Sequence, residues 1–238
     1  MRHIPNFITS LNLTCGFIAI IFAANGDIHT ASWLITAAMI FDFFDGFSAR
    51  ILKAYSPLGK ELDSLADVVS FGVAPAMIIY HMLSNSLSIS NISINSLDLK
   101  TIVVLIVPAI MPVFAALRLA IFNLDETQAT TFKGLPTPAN ALAVVTIVIA
   151  NHYSSSVFFT DLTGSAPFLI ILTLTLSLLM VSHIPLLSLK IRSFSLKGNE
   201  GRYLLLGLII LSVSVLGVAA FPLIIPLYIA SSLFSLIV

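Results

Sequence analysis

The chain has 238 residues, of which 58% are hydrophobic and only 9% charged, with a mean hydropathy of +1.06. A soluble domain of this size carries roughly 25% charged residues, so the composition excludes a soluble globular protein and points to a polytopic membrane protein. Eleven basic and 11 acidic residues cancel, which removes any global argument for a nucleic-acid partner, and the single cysteine, Cys15, excludes an intrachain disulfide.

The first residues, MRHIPNFITSLNLTCGFIAIIFAANG, place Arg2 ahead of an apolar stretch, as a secretory leader does. Pro5, Asn6, Thr9, Ser10, Asn12 and Thr14 interrupt that stretch, so the segment is expected to be retained. Asn12 also stands where a lipid-attachment site at Cys15 would need a leucine. Ile4, Phe7, Ile8 and Leu11 recur at i, i+3, i+4, i+7, with Asn6, Thr9, Ser10 and Asn12 on much of the other side. This pattern predicts a short amphipathic helix lying at the cytoplasmic interface before the first span. An N-terminal extension of that span is the alternative.

Hydropathy then predicts about eight spans. They cover residues 9–24, 31–52, 62–83, 102–122, 137–150, 166–186, 203–219 and 222–236. The fifth is short, and Pro222 is compatible with a turn between the last two spans or a kink in a single one. With the N-terminus inside, Arg2, Arg50, Lys53, Lys60, Arg118, Lys133, Lys190, Arg192, Lys197 and Arg202 all fall on the inner side, and only Lys100 falls outside. The positive-inside rule therefore predicts an integral protein of the cytoplasmic membrane with its N-terminus in the cytoplasm. The outer connections SNSLSISNISINSLDLK and NHYSSSVFFTDLTGS are rich in Ser, Asn and Thr and read as surface loops. His3, His29, His81, His152 and His183 are scattered and read as interfacial or packing residues. Trp33 and Tyr80 fall near the outer ends of their spans, as interface anchors do. The runs FLIILTLTLSLLMV and LLLGLIILSVSVLGV carry no chemistry and read as packing or dimer-contact helices, so a homodimer is among the expected assemblies. No inverted internal repeat is visible, and residues 1–238 read as one membrane domain. The expected fold is all-α: a polytopic transmembrane helix bundle with a six-helix core, two C-terminal helices and the N-terminal interfacial amphipathic helix.

One stretch, FDFFDGFSARILKAYSPLGKELDSLADVVSFGVAPA, breaks the apolar pattern. Asp42 and Asp45 stand at i, i+3 near the inner end of the second span, ~60° apart around the helix axis. Asp63 and Asp67 stand at i, i+4 at the start of the third, ~40° apart. The link between these helices is short and contains Ser56-Pro57, so the two must be antiparallel neighbours whose acids meet at one membrane depth. Each buried acid costs on the order of 2.5–3.5 kcal/mol near a helix centre and less near the interface. Four together repel, and compensation is required. Arg50 and Lys53 could supply part of it; an all-oxygen carboxylate set better suits a hard cation such as Mg²⁺ or Mn²⁺, which completes its shell with substrate phosphates. Four acids could hold two ions, or one ion with one acid free as a base. Gly46, Gly59 and Ala49 would let a bulky substrate approach, and Arg50 offers a planar fork for phosphate oxygens.

Asp42, Asp45, Gly46, Ala49, Arg50, Gly59, Asp63 and Asp67 spell D-x₂-D-G-x₂-A-R-x₈-G-x₃-D-x₃-D, which resembles the signature of the CDP-alcohol phosphatidyltransferase family. IPNFITSLNLTCG, LDSLADVVSFGVAPA, ALRLAIFN, FKGLPTPANA and LMVSHIPLLSLK resemble the phosphatidylserine synthase branch, with Ile121 standing where that branch has a basic residue. The resemblance covers most of the chain and thins after Lys190. It implies transfer of a phosphatidyl group from CDP-diacylglycerol to L-serine, with release of CMP, at a site on the cytoplasmic side of the membrane lipid. It implies Asp42, Asp45 and Asp63 as ligands of Mg²⁺ or Mn²⁺, and Asp67 as general base and a further ligand. It also implies a nucleotide pocket of Asn6, Thr9, Gly46, Ala49, Arg50, Ser56 and Gly59. Arg118 and Lys133 are the candidates for an anion pocket that takes the serine carboxylate or a lipid phosphate; obedience to the positive-inside rule alone would also place them there. Glycerol phosphate or inositol phosphate are the alternative acceptors, and a divalent-cation transporter is the alternative of another class.

Overall fold

The computed structural model describes residues 3–89, 97–124, 132–154, 156–187 and 199–235. Arg2, Lys190, Arg192 and Lys197 lie outside these residues. The described chain forms α1 (Ile4–Ala24), α2 (Ile28–Ile51), α3 (Pro57–Ser86), α4 (Leu99–Leu124), α5 (Thr137–Tyr153), α6 (Val157–Thr163), α7 (Ala166–Val181), α8 (Glu200–Leu216) and α9 (Ile224–Phe234). Two short strands, β1 (Phe132–Lys133) and β2 (Pro185–Leu186), pair antiparallel, with Phe132 opposite Leu186 and Lys133 opposite Pro185. Helices α1, α3 and α4 are each long and apolar enough to cross a membrane, as is the helical run Glu200–Phe234, and α6 with α7 makes a further candidate bent by 75°. The architecture is an all-α membrane helix bundle.

The run Glu200–Phe234 is not one straight rod. Gly217 turns the chain at φ +58°, a conformation that favours glycine. At the other end Gly201 lies against α9, where a Cβ would stand 2.8 Å from Ser235 Cβ and 3.1 Å from the Ser231 carbonyl oxygen. Helices α8 and α9 therefore form an antiparallel hairpin, and Pro222 lies in the 3₁₀ turn Gly217–Leu223 that joins them.

Two expectations need correction. Ile4–Ala24 is a single unbroken helix, so no separate interfacial helix precedes the first span. The amphipathic pattern at its start has another meaning. Ile4 and Phe7 point outward, while Thr9 and Asn12 are buried against neighbouring helices. Thr9 and Asn12 of the polar stripe thus face the protein, while Ser10 stays exposed. The loop expected after the fifth span also holds structure: Val157–Thr163 is helical, because Phe159 turns inward to a buried position.

The packing has the pattern of a protein solvated by hydrocarbon. Exposed positions carry large apolar side chains such as Phe17, Phe43, Val103, Ile171, Leu211 and Val215, whereas Ala19 and Ala23 of α1 and Ala31 and Ala38 of α2, two helices packed on each other, are fully buried. Small residues let backbones approach where no hydrophobic effect drives helices together. Helices α1 and α3 approach closely at Gly16. A Cβ on Gly16 would stand 2.2 Å from Ser70 Oγ and 2.7 Å from Ser70 Cα. Gly16→Val is therefore expected to separate α1 from α3, with a loss of about 3 kcal/mol, at the upper end of ordinary overpacking. A thermal melt in detergent checks this, and an unchanged midpoint would contradict it.

Helix α3 carries a π-helical turn, Val68–Val73, immediately after Asp67. Such turns widen the helix and leave carbonyls without their usual partners. The Phe71 carbonyl oxygen is met by Asn140 Nδ2 at 3.0 Å from α5, and Ser70 Oγ donates to the Asn12 carbonyl oxygen at 3.1 Å. Gly72 sits against α4, where a Cβ would fall 3.0 Å from Ala115 Cβ and 3.1 Å from Pro112 Cα. The segment SFG thus docks α3 onto three helices and fixes the orientation of the acid one residue before the turn. At the opposite end of α2, ~20 Å away along the helix, His29 stacks on His152 with ring centroids 3.9 Å apart. Trp33 Nε1 donates to His29 Nε2 at 3.2 Å. These histidines serve packing, as expected, although the sequence shows nothing of their meeting.

Candidate active site

Four helices and one loop build the site. Helix α2 presents Asp42 and Asp45 from successive turns. After the short link, Ser56 caps α3 by accepting a hydrogen bond from the Gly59 N–H at 3.0 Å, and Pro57 occupies the first turn. This local start signal fixes the phase of α3, which then presents Asp63 and Asp67 toward α2. Carboxylate oxygens of Asp42, Asp63 and Asp67 all lie within 4.8 Å of one another.

Asp67 is the most enclosed of the three, at 7% exposure. Asn12 Nδ2 of α1 donates to its Oδ1 at 3.5 Å, and Thr137 Oγ1 of α5 donates to its Oδ2 at 3.4 Å. Both bonds are long, so they aim the carboxylate without saturating it. Thr137 stands where it does because Gly134, at φ +75°, packs flat against the end of α7. A side chain there would meet the carbonyl oxygens of Met180 and Ser182 at 2.5 and 2.8 Å. The Leu135 N–H then donates to the Leu179 carbonyl oxygen at 2.9 Å, which sets the entry to α5.

Asp45 is also buried, at 6% exposure, and stands apart from the three-way meeting. It lines a cavity of about 350 Å³ together with Asp63. That cavity is walled by Asn6, Thr9, Gly46, Ala49, Arg50, Ser56 and Gly59, which the sequence reading assembles as one pocket, and by Pro5, Ala54, Tyr55 and Lys60, which it does not. A Cβ at Gly46 would meet no atom within 4 Å, so the missing side chain leaves room in the cavity. Arg50 is exposed and bends back to donate from Nε to the Gly46 carbonyl oxygen at 2.9 Å. Lys60 Nζ reaches the Asn123 carbonyl oxygen at 3.1 Å, and Asn123 Nδ2 donates to Ser64 Oγ at 2.8 Å, which ties the start of α3 to the end of α4.

The buried oxygens Asp45 Oδ2 and Asp63 Oδ1 have no hydrogen-bond partner. Unpaired carboxylate oxygens in an apolar setting are costly, and a hard cation satisfies such oxygens. The donor set is all oxygen, three of its members converge, and the orphaned atoms lie beside them. These residues fit a divalent metal ion.

A second, smaller cavity of about 80 Å³ lies between α4, β1 and the end of α7. Arg118, Ile121, Phe122, Lys133, Ser182 and His183 line it. Arg118 and Lys133 are thus brought to one space, 15 residues apart in sequence. Arg118 is 93% buried by its 7% exposure, its Nε has no partner, and its guanidinium lies 5.9 Å from the centre of the Phe122 ring. Ile121 also faces this space, so no third basic side chain comes from that position.

Residues 2–182 match the model of the CDP-alcohol phosphatidyltransferase family. Among curated relatives, the Bacillus subtilis CDP-diacylglycerol–serine O-phosphatidyltransferase is 37% identical over 61% of this chain and 75% of its own length. The Mycobacterium leprae protein of the same name is 34% identical over 78% of this chain and 58% of its own. An archaetidylserine synthase of Methanothermobacter thermautotrophicus is 32% identical over 76% of this chain and 68% of its own. The chain therefore aligns with between 58% and 75% of the length of these relatives.

Proposed function

This chain belongs to the CDP-alcohol phosphatidyltransferase family and is a phosphotransferase, and we propose that it moves the phosphatidyl group of CDP-diacylglycerol to L-serine, releasing CMP. The observation that carries this reading is the meeting of the Asp42, Asp63 and Asp67 carboxylates beside the cavity that Asp63 also lines. The membership sets aside the cation transporter that the same carboxylates could otherwise serve.

Asp42, Asp45, Asp63 and Asp67 would hold Mg²⁺ or Mn²⁺. Such an ion, when bound, neutralises the pyrophosphate and the departing CMP. Asn6, Thr9, Gly46, Ala49, Arg50, Ser56 and Gly59 receive the nucleotide end of the donor, while its acyl chains stay in the bilayer along the exposed Phe43, Phe44 and Phe47 face of α2. The serine hydroxyl oxygen bonds to the β-phosphorus, its proton passes to a carboxylate oxygen of Asp67, and the bond from that phosphorus to the bridging oxygen of CMP breaks. Asn12 and Thr137 keep the Asp67 carboxylate aimed during this transfer. The site opens to the cytoplasm, consistent with Arg50, Lys53, Lys60, Arg118 and Lys133 gathered at that end of the helices.

Arg118 and Lys133 take the serine carboxylate. Two cations around a small cavity complement one carboxylate, and a phosphorylated acceptor would call for more. Arg118→Ala is expected to raise the KM for serine about tenfold or more, the loss of a charge-assisted bond, and to leave the KM for CDP-diacylglycerol unchanged. Unaltered serine KM and turnover would remove Arg118 from the acceptor site. The reading as a whole is tested by CMP release from purified protein given CDP-diacylglycerol, Mg²⁺ or Mn²⁺, and each of L-serine, glycerol phosphate and inositol phosphate. Release that shows no preference for serine would defeat it.

A further inference from the structure

The chain beyond residue 182 lies outside the family match, and of its two helices α8 carries a run that reads as packing from sequence. The structure gives them a specific grip on the smaller cavity. Lys133 enters that cavity from β1, whose ladder with β2 is only two residues long. A pairing this short does not hold itself in place. On the β1 side it is secured by the Gly134 N–H, which donates to the Ile184 carbonyl oxygen at 2.9 Å. On the β2 side it is secured by the next residue, Leu187, which the hairpin of α8 and α9 holds.

Tyr228 Oη donates to the Leu187 carbonyl oxygen at 3.0 Å, and the Leu187 N–H donates to Ser232 Oγ at 3.1 Å. Both backbone groups of one residue are thus held by two side chains at i, i+4 on α9, the spacing that puts them on one helix face. Tyr228 and Ser232 are 6% and 1% exposed. Ser232 Oγ also donates to the Tyr228 carbonyl oxygen at 2.7 Å, which fixes its rotamer and aims its free lone pair at Leu187. From α8, Gly201 lies against the Leu187 side chain, where a Cβ would meet Cδ1 at 2.8 Å.

We propose that Tyr228 and Ser232 are positioning residues for the acceptor: by holding Leu187 they set β2, and through β2 the place of Lys133 opposite Arg118. The kinetic part of this inference rests on the acceptor role given to Arg118 and Lys133 above; the structural part does not. The C-terminal hairpin then tunes serine affinity without touching donor or metal.

Two measurements on the full-length protein test this. In steady-state kinetics, Tyr228→Phe removes one hydroxyl and keeps the ring, and is expected to raise the KM for serine about fivefold, the effect of one hydrogen bond, with the KM for CDP-diacylglycerol unchanged. Ser232→Ala acts in the same direction, while Ser232→Thr, which keeps the oxygen, restores the wild-type value. In amide hydrogen exchange, Tyr228→Phe accelerates exchange across residues 132–135 and leaves the Asp67 turn unchanged. Equal loss on both substrates, or failure of Ser232→Thr to restore, would mark a merely structural role and overturn the proposal. If the wild type releases no CMP with serine, the functional reading fails, and the exchange experiment still decides the positioning: unchanged exchange at 132–135 would overturn it.

Discussion

Asp67→Asn is expected to reduce serine-dependent CMP release by a factor of about 10³, within the range of general-base removal, while binding of CDP-diacylglycerol persists. The substitution preserves shape and volume. Asn12 Nδ2 and Thr137 Oγ1, which donate to the two oxygens of Asp67, lie on opposite sides of it in sequence and come from α1 and α5. An asparagine Oδ1 can accept from either of them, so the residue stays in place. What disappears is the basic oxygen that takes the serine proton. Asp45 and Asp63 do not replace it, because both line the cavity that receives the donor. Product analysis under single-turnover conditions separates this from a binding defect. A variant that turns over within tenfold of the wild type would exclude Asp67 as the base.

The second large effect concerns the carboxylates as a charge cluster. Without a cation, Asp42, Asp63 and Asp67 oppose one another across less than 4.8 Å in a largely buried setting. Asp63→Asn removes one charge from that group and one unpaired buried oxygen, Asp63 Oδ1, is replaced within a neutral amide. The metal-free variant is therefore expected to melt at a higher temperature than the metal-free wild type. Added Mg²⁺ or Mn²⁺ reverses the order. A ligand at one hundred times its Kd stabilises the folded state by about 2.7 kcal/mol, and the wild type gains this where the variant does not. CMP release by Asp63→Asn falls with the cation affinity. Melting curves that ignore added cation in the wild type would contradict the metal assignment to these acids.

The acids and the helices that carry them were legible because each depends on local spacing. Asp42 with Asp45 and Asp63 with Asp67 share helix faces by periodicity alone, and the short Ser56-Pro57 link forces their helices together. The cavity lining from Asn6 to Gly59 was legible only through the family resemblance, since no spacing brings Asn6 and Thr9 of α1 to Gly59. Contacts between segments distant in sequence were not legible. Nothing local in GLPTPANA tells that Thr137 meets Asp67 or that Asn140 meets the Phe71 carbonyl; both depend on the π-helical turn, which shifts the phase of α3 by a residue. The N-terminal stripe of Asn6, Thr9 and Asn12 misled for a related reason. Periodicity reports that one face is polar but not whether that face meets water or a buried carboxylate. Asp45 stands apart from the meeting of Asp42, Asp63 and Asp67, a distinction of side-chain direction that spacing does not contain. Tyr228 and Ser232 were invisible for want of any polar pattern in α9 that points to Leu187.

The most direct test follows the oxygen that the reaction transfers. L-Serine labelled with ¹⁸O in its hydroxyl is incubated with the purified protein, CDP-diacylglycerol and Mg²⁺, and the lipid product and nucleotide are read by mass spectrometry. Attack by the serine oxygen on the β-phosphorus predicts phosphatidylserine that retains the label, with unlabelled CMP formed in equal amount. Absence of labelled phosphatidylserine, or lipid product that has lost the label, would contradict the account.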